Sequence, residues 1–155
     1  NTLTVRVTLG TKKYNELYAK MRNLNRMLGW GHARAIENIL STQDCSFAIA
    51  DQFGDESLIS NALMEKGRKI DLQQRPKAES DIAVAAASIV AREEFLNRLD
   101  ILSNSVGIEL PKGASTKVVT TAIQLTKQFG IEKLQTIAKL HFKTTEQVRN
   151  NSRMR

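Results

Sequence analysis

The sequence predicts an α/β fold followed by a helical C-terminal cap. Three observations lead there: an alternating apolar stretch at the start, a short continuous apolar run near position 48, and long segments of helical spacing between and after them. Leu3, Val5, Val7 and Leu9 alternate with Thr4, Arg6 and Thr8, which is the period of a strand, and Gly10 closes it. Tyr14, Leu17, Tyr18, Met21, Leu24 and Leu28 fall on one helical face, so a helix is expected over 13–28. Gly29 and Gly31, on either side of Trp30, predict a break or bend. A second helical pattern follows through Ala35, Ile36, Ile39 and Leu40.

Residues 46–50 are a short apolar run ending in Asp51, the signature of a buried strand parallel to its neighbours. Helical spacing resumes through Leu58, Ile59, Ala62 and Leu63 and stops at Gly67. A weaker extended segment over 68–75 carries Ile70 and Leu72, and Pro76 forbids further ladder pairing. The longest helix is expected over 80–102. Its first half, from Ile82 to Ala91, is apolar all round and predicts burial, with alanines allowing close backbone approach. Its second half, with Glu93, Glu94, Arg98 and Asp100, turns amphipathic. A loop over 107–115 leads to helices over 116–129, 131–140 and 144–150. Two or three strands make a poor sheet, and that scarcity asks for a cause.

A chain of 155 residues is one domain's worth, long enough to bury a core. Its 41% hydrophobic and 25% charged residues exclude a disordered chain, and no apolar run reaches the ~18 residues of a membrane span. The single cysteine, Cys45, has no internal partner, so a reduced, cytoplasmic setting is the expectation. The first residue is Asn1 and no charged-then-apolar leader follows, which points to a processed start or a piece of something longer. The net charge is +7, and its placement says more than its size. From Leu110 to Arg155 there are nine basic residues against two acids, so the whole excess lies there, while the first 109 residues balance. A basic end on a balanced body suggests a polyanion, nucleic acid first among them; a solvated basic surface is the plain alternative.

Two acids stand out. Asp51 ends a buried strand, where open α/β sheets place their ligands, although a turn or cap residue would look the same. Glu79, in Lys77-Ala78-Glu79-Ser80-Asp81, leads a buried helix beside Arg75 and Lys77. The helix dipole alone favours an acid there, yet carboxylates at adjacent strand and helix termini also make half of a site for divalent cations and a phosphate ester. His32 and His141 have no Cys or His at metal-binding spacing. Ser88 lies in an alanine-rich helix with no nucleophile-elbow context, and there is no Walker loop, GxGxxG or CxxC.

Asp51-Gln52-Phe53 after the apolar run, Lys77-Ala78-Glu79-Ser80, and the stretch from Ala83 to Arg92 resemble the second half of a bacterial type 2 ribonuclease H. Tyr14-Asn15-Glu16-Leu17, Asn23-Leu24-Asn25, His32-Ala33 with Ile36, Leu110-Pro111-Lys112-Gly113 and Leu140-His141-Phe142 narrow the resemblance to ribonuclease HIII. It runs from about Val5 to about Val148, with the motifs in order.

The resemblance implies a ribonuclease H-like fold that is incomplete at its N-terminal side, the whole of 1–155 being the C-terminal portion of one catalytic domain. It implies endonucleolytic hydrolysis of the RNA strand of RNA–DNA hybrids, leaving 5′-phosphate and 3′-hydroxyl ends, with Mg²⁺ or Mn²⁺ as cofactor. Of the family's four catalytic, metal-holding acids, the third falls on Asp51 and the fourth on Glu79. The first two belong to an Asp-Glu-Val-Gly motif that this chain lacks, together with the strand that carries it and the family's separate substrate-binding domain. The resemblance therefore predicts that the chain is inactive alone, that its partner is the missing N-terminal part, and that the intact protein is a cytoplasmic monomer without a membrane partner. Lys77, Lys112, Lys139, His141 and Lys143 are the candidate nucleic-acid contacts. The competing reading is a non-catalytic basic helical module, since 122–150 looks superficially like a helix-turn-helix. The ordered motifs, which such a module has no reason to carry, favour the enzyme.

Overall fold

The computed structural model describes residues 3–153. The elements in chain order are α1 (Thr11–Met21), α2 (Leu24–Leu40), β1 (Phe47–Asp51), α3 (Ser57–Ser60), β2 (Asp71–Arg75), α4 (Ile82–Val106), α5 (Thr116–Phe129), α6 (Leu134–Ile137) and α7 (Lys143–Arg153). Short 3-10 turns cover Gly67–Lys69, Ala78–Ser80 and Ile131–Lys133. The chain divides into two compact units. One holds the described residues up to Thr8 together with Met21–Glu94; the other holds Leu9–Lys20 and the described residues from Phe95 onward.

In the first unit, β1 and β2 pair in parallel, with Phe47 opposite Asp71 and Asp51 opposite Arg75. The core beneath them is Ala33, Ala50, Ile59 and Leu63, surrounded by Ile36, Phe53, Ala62 and Leu72. Ala33 and Ile59 are fully buried. A buried carboxylate ties this layer together. Glu37 on α2 accepts from the backbone N–H groups of Met64 and Gly67 at 2.7 Å each and of Lys66 at 3.3 Å. Those bonds meet its demand for donors, so the acid sits inside the fold without a salt bridge.

Several sequence expectations need correction here. The alternation over Leu3–Leu9 forms no strand, because a strand is defined by a neighbour and none pairs with it among the described residues. The break between the first two helices falls at Arg22 and Asn23, where Arg22 has φ 49° and the Asn23 side chain caps α2 by accepting from the Arg26 N–H at 3.0 Å. The Gly29–Gly31 pair does not bend the chain and lies inside α2. A Cβ at Gly29 would collide with the backbone carbonyl of Leu58, so this glycine permits close approach of α3. The helix after β1 is a single turn, and β2 starts only at Asp71.

The largest correction concerns α4. Its first half is not buried: Ile82 is 86% and Ile89 71% exposed. Val84, Ala85 and Val90 are half-buried, but Ile82 and Ile89 have no such cover among the described residues.

In the second unit, α5 packs on α7, with Leu125, Leu134 and Val148 buried. The helix expected over 131–140 is a 3-10 turn and the one-turn α6, ended where Ala138 becomes extended. With so short a middle element, the helix-turn-helix likeness of 122–150 stops at the sequence. Asn15 on α1 holds the next segment in place: its Nδ2 donates to the carbonyls of Gln135 at 3.1 Å and Ala138 at 2.9 Å, and its Oδ1 accepts from the Leu140 N–H at 3.0 Å.

Candidate metal centre

β1 delivers Asp51 to the surface at its C-terminal end. There its Oδ1 accepts from the backbone N–H of Ala78 at 3.1 Å, and the Gln52 N–H extends the pairing by donating to the Arg75 carbonyl at 3.0 Å. The structure thereby fastens the Ala78–Ser80 turn to the end of the strand. Ala78 is buried beneath it, and Glu79, the next residue along, is exposed. Lys77, which opens the turn, has the left-handed φ of 56° that few residues other than glycine adopt. Asp51 and Glu79, 28 positions apart in sequence, thus lie on two short segments joined by a hydrogen bond.

The other acids nearby are spent on local structure. Asp55 Oδ1 accepts from the Ser57 N–H at 2.8 Å, and the hydrogen bonds from Ser57 lower its pKa below the ordinary range. Asp81 Oδ1 accepts from the Ala83 N–H at 2.9 Å at the start of α4. Among the described residues no group of three or more His, Cys, Asp or Glu is placed to hold a metal ion. Asp51 and Glu79 are hard oxygen donors of the kind Mg²⁺ and Mn²⁺ take.

Sequence reasoning passed over His32. It lies on α2 with its ring 5.1 Å from that of Phe53, and it feels the charge of Asp51. Loss of hydration lowers its pKa, and the Asp51 carboxylate offsets this only in part, so the ring is neutral near pH 7. No spacing rule would find it, because its neighbours come from another element.

The candidate nucleic-acid contacts are distributed. Lys77 is exposed on the turn beside Glu79, in the first unit. Lys112, Lys139, His141 and Lys143 belong to the second unit, Lys112 in an exposed loop. His141 does not present its nitrogens: both are buried, and the ring is stacked among aromatic neighbours, so direct phosphate contact is not available to it as placed. No helix among the described residues is long and apolar enough to cross a membrane.

The chain has relatives among known proteins. Residues 6–145 match the family model for ribonuclease HII. The chain is similar to ribonuclease HIII of Protochlamydia amoebophila, 42% identical over 142 residues, covering 92% of this chain and 47% of that protein. Among solved structures it is similar to Bst-RNase HIII in complex with Mn²⁺, with a TM-score of 0.86 and 32% identity over 96% of this chain and 50% of the other. It also resembles Aquifex aeolicus RNase H3, with a TM-score of 0.64 and 31% identity over 85% of this chain and 46% of the other. The chain thus spans about half the length of the relatives it matches. Its α/β fold with extra C-terminal helices is that of the corresponding half of a ribonuclease HIII. The chain belongs to the ribonuclease HII family, and the relatives it matches there are ribonucleases HIII.

Proposed function

We propose that this chain contributes half of the catalytic domain of a ribonuclease H that cleaves the RNA strand of RNA–DNA hybrids, with Asp51 and Glu79 as two of the carboxylates that hold Mg²⁺ or Mn²⁺. The observation that carries the reading is the bond from the Ala78 N–H to Asp51, which sets the Glu79 turn against the strand end. A divalent cation, when bound, supplies Lewis-acid stabilisation of the charge that develops on the phosphoryl oxygens. The chain's own residues prepare for it. Asp51 spends one oxygen on the Ala78 N–H, which orients the carboxylate and leaves its other oxygen for a cation. Lys77 brings a positive charge beside Glu79, suited to a phosphate of the substrate backbone. The lysines of the second unit add sequence-independent phosphate affinity.

The remaining ligands and a cover for α4 are, in this reading, the work of the half that the relatives have and this chain does not span. That half is the partner we propose, making one monomeric protein in a reducing interior, in keeping with the unpaired Cys45.

The test has two arms. In the complete protein, Asp51→Asn should abolish Mg²⁺-dependent hybrid cleavage while hybrid binding persists, a loss of several kcal/mol of transition-state stabilisation. The 155-residue chain alone should be silent and regain cleavage when mixed with a segment carrying the Asp-Glu-Val-Gly motif. Normal cleavage by the Asp51→Asn protein, or robust cleavage by the chain alone, would overturn the assignment.

A further inference from the structure

The second unit contains a stack of rings that the catalytic reading does not use. His141 lies 4.0 Å from Tyr18 at an interplanar angle of 21° and 5.7 Å from Tyr14 at 27°. On the chain's next residue, Phe142 stands 4.0 Å from His141 at 35°. Tyr14 is 8% exposed, and its hydroxyl and both His141 nitrogens are buried without a hydrogen-bond partner among the described residues. Burial and the nearby Lys139 lower the His141 pKa, so the ring is neutral near pH 7 and serves as a flat spacer. The Lys139 ammonium lies 4.7 Å from the Tyr14 ring centroid. The Asn15 hydrogen bonds to Ala138 and Leu140 pin the backbone just ahead of the stack, and the Thr145 N–H holds the Phe142 carbonyl at 2.9 Å.

Phe142 is 46% exposed, and exposed lysines stand three residues before it and one after it. An exposed ring with an exposed lysine next to it in the chain suits one nucleotide: the ring takes the base, and the Lys143 cation takes a neighbouring phosphate. The occupant must be a polyanion, because the chain's whole excess of positive charge lies from Leu110 onward. It must also offer a free base face, which a duplex interior does not. Phe142 has no polar atom with which to read base edges, so the contact is indifferent to sequence.

We propose that Phe142, backed by His141 and Tyr18 and followed by Lys143, is a stacking platform for an unpaired nucleobase at the single-stranded end of a hybrid. The inference deepens the hybrid-binding reading above and rests on it. It assigns this unit a preference for hybrids with a single-stranded tail over blunt ones.

The experiment measures fluorescence anisotropy of the full 155-residue chain in EDTA, with a blunt RNA–DNA hybrid and the same hybrid bearing an oligothymidine tail. The tail should tighten binding about fivefold or more, the lower end of a base-on-ring contact. Phe142→Ala should remove that gain and leave blunt-hybrid affinity unchanged, whereas Phe142→Tyr, which keeps the ring, should retain it. If Phe142→Ala loses its helical circular dichroism, Phe142→Leu takes its place with the same expectation. A tail that adds nothing to the unsubstituted chain, an equal loss on both ligands, or loss of the gain in Phe142→Tyr overturns the platform. Failure of the unsubstituted chain to bind either hybrid overturns the platform, and failure of the complete protein to do so overturns the hybrid-binding reading, which separates the two outcomes.

Discussion

Helices α2 and α4 carry similar instructions and meet different fates. Both are long, 17 and 25 residues, and both are rich in apolar side chains. α2 buries Met27, Gly29, Ala33, Glu37 and Leu40, with α3 packed on it and the turn before β2 bonded to Glu37. α4 buries only Val106, and in its apolar first half Ile82 and Ile89 face outward. Local propensity makes a helix in both cases, but burial is a relation between surfaces. α2 finds its partner within this chain. In our reading, the partner of α4 lies in the half that the relatives possess.

Truncating one isoleucine in each region separates the two helices most sharply. Ile59, fully buried on α3 against α2, should cost about 2–5 kcal/mol as Ile59→Ala, since the cavity cannot collapse around it. Ile89→Ala should change the stability of this chain by less than about 0.5 kcal/mol, the usual range for an exposed site. Denaturant titration of both variants checks the pair. In the complete protein the Ile89 variant should become costly as well, and equal costs in the isolated chain would mean that α4 is covered after all.

A smaller contrast lies inside α2 itself. Gly29→Ala drives a methyl group into the Leu58 backbone carbonyl, which cannot rotate away, and should destabilise by about 1–3 kcal/mol. Gly31→Ala meets nothing within 4 Å and should stabilise the helix by about 0.5–1 kcal/mol. Thermal melts with the two substitutions moving in the same direction would refute the close approach of α3.

The smallest effect concerns the two histidines, one in each unit. Both have pKa values lowered from the ordinary 6.5, His141 by burial and then by Lys139, His32 by burial against the pull of Asp51. The unfolded chain therefore takes up these protons first as the pH falls. Their contribution to stability is whole above 6.5 and declines on acidification through 6.5 toward the lower folded values, below which it stops changing. The urea midpoint should fall in that window, and His141→Phe should flatten the slope while His32 keeps its share. A midpoint indifferent to pH there would contradict the placement of both rings.

Some features were legible because their causes are local. Helix α5 runs over Thr116–Phe129 as the apolar spacing predicts, closed by Gly130 at φ 83°. The strand at Phe47–Asp51 follows from its continuous apolar run, and Asp51 at its end was visible as a candidate. The paired glycines misled because a glycine in sequence does not say whether it supplies a bend or a gap. The alternation of Leu3–Leu9 misled because periodicity names a conformation without naming a partner.

The sequence by itself determined the long helices α4 and α5, where the central apolar strand ends, that the positive charge gathers at the C-terminal end, and which family the motifs belong to. Each follows from side-chain chemistry acting over a few residues, or from motifs in a fixed order. Tertiary structure alone decided that Asp51 holds the Glu79 turn, that Glu37 closes three backbone donors, that Asn15 pins the chain 120 or more residues away, and that His141 is stacked and neutral. Hydrogen bonds and ring contacts of that kind depend on groups that adjoin only after folding, so no local pattern encodes them.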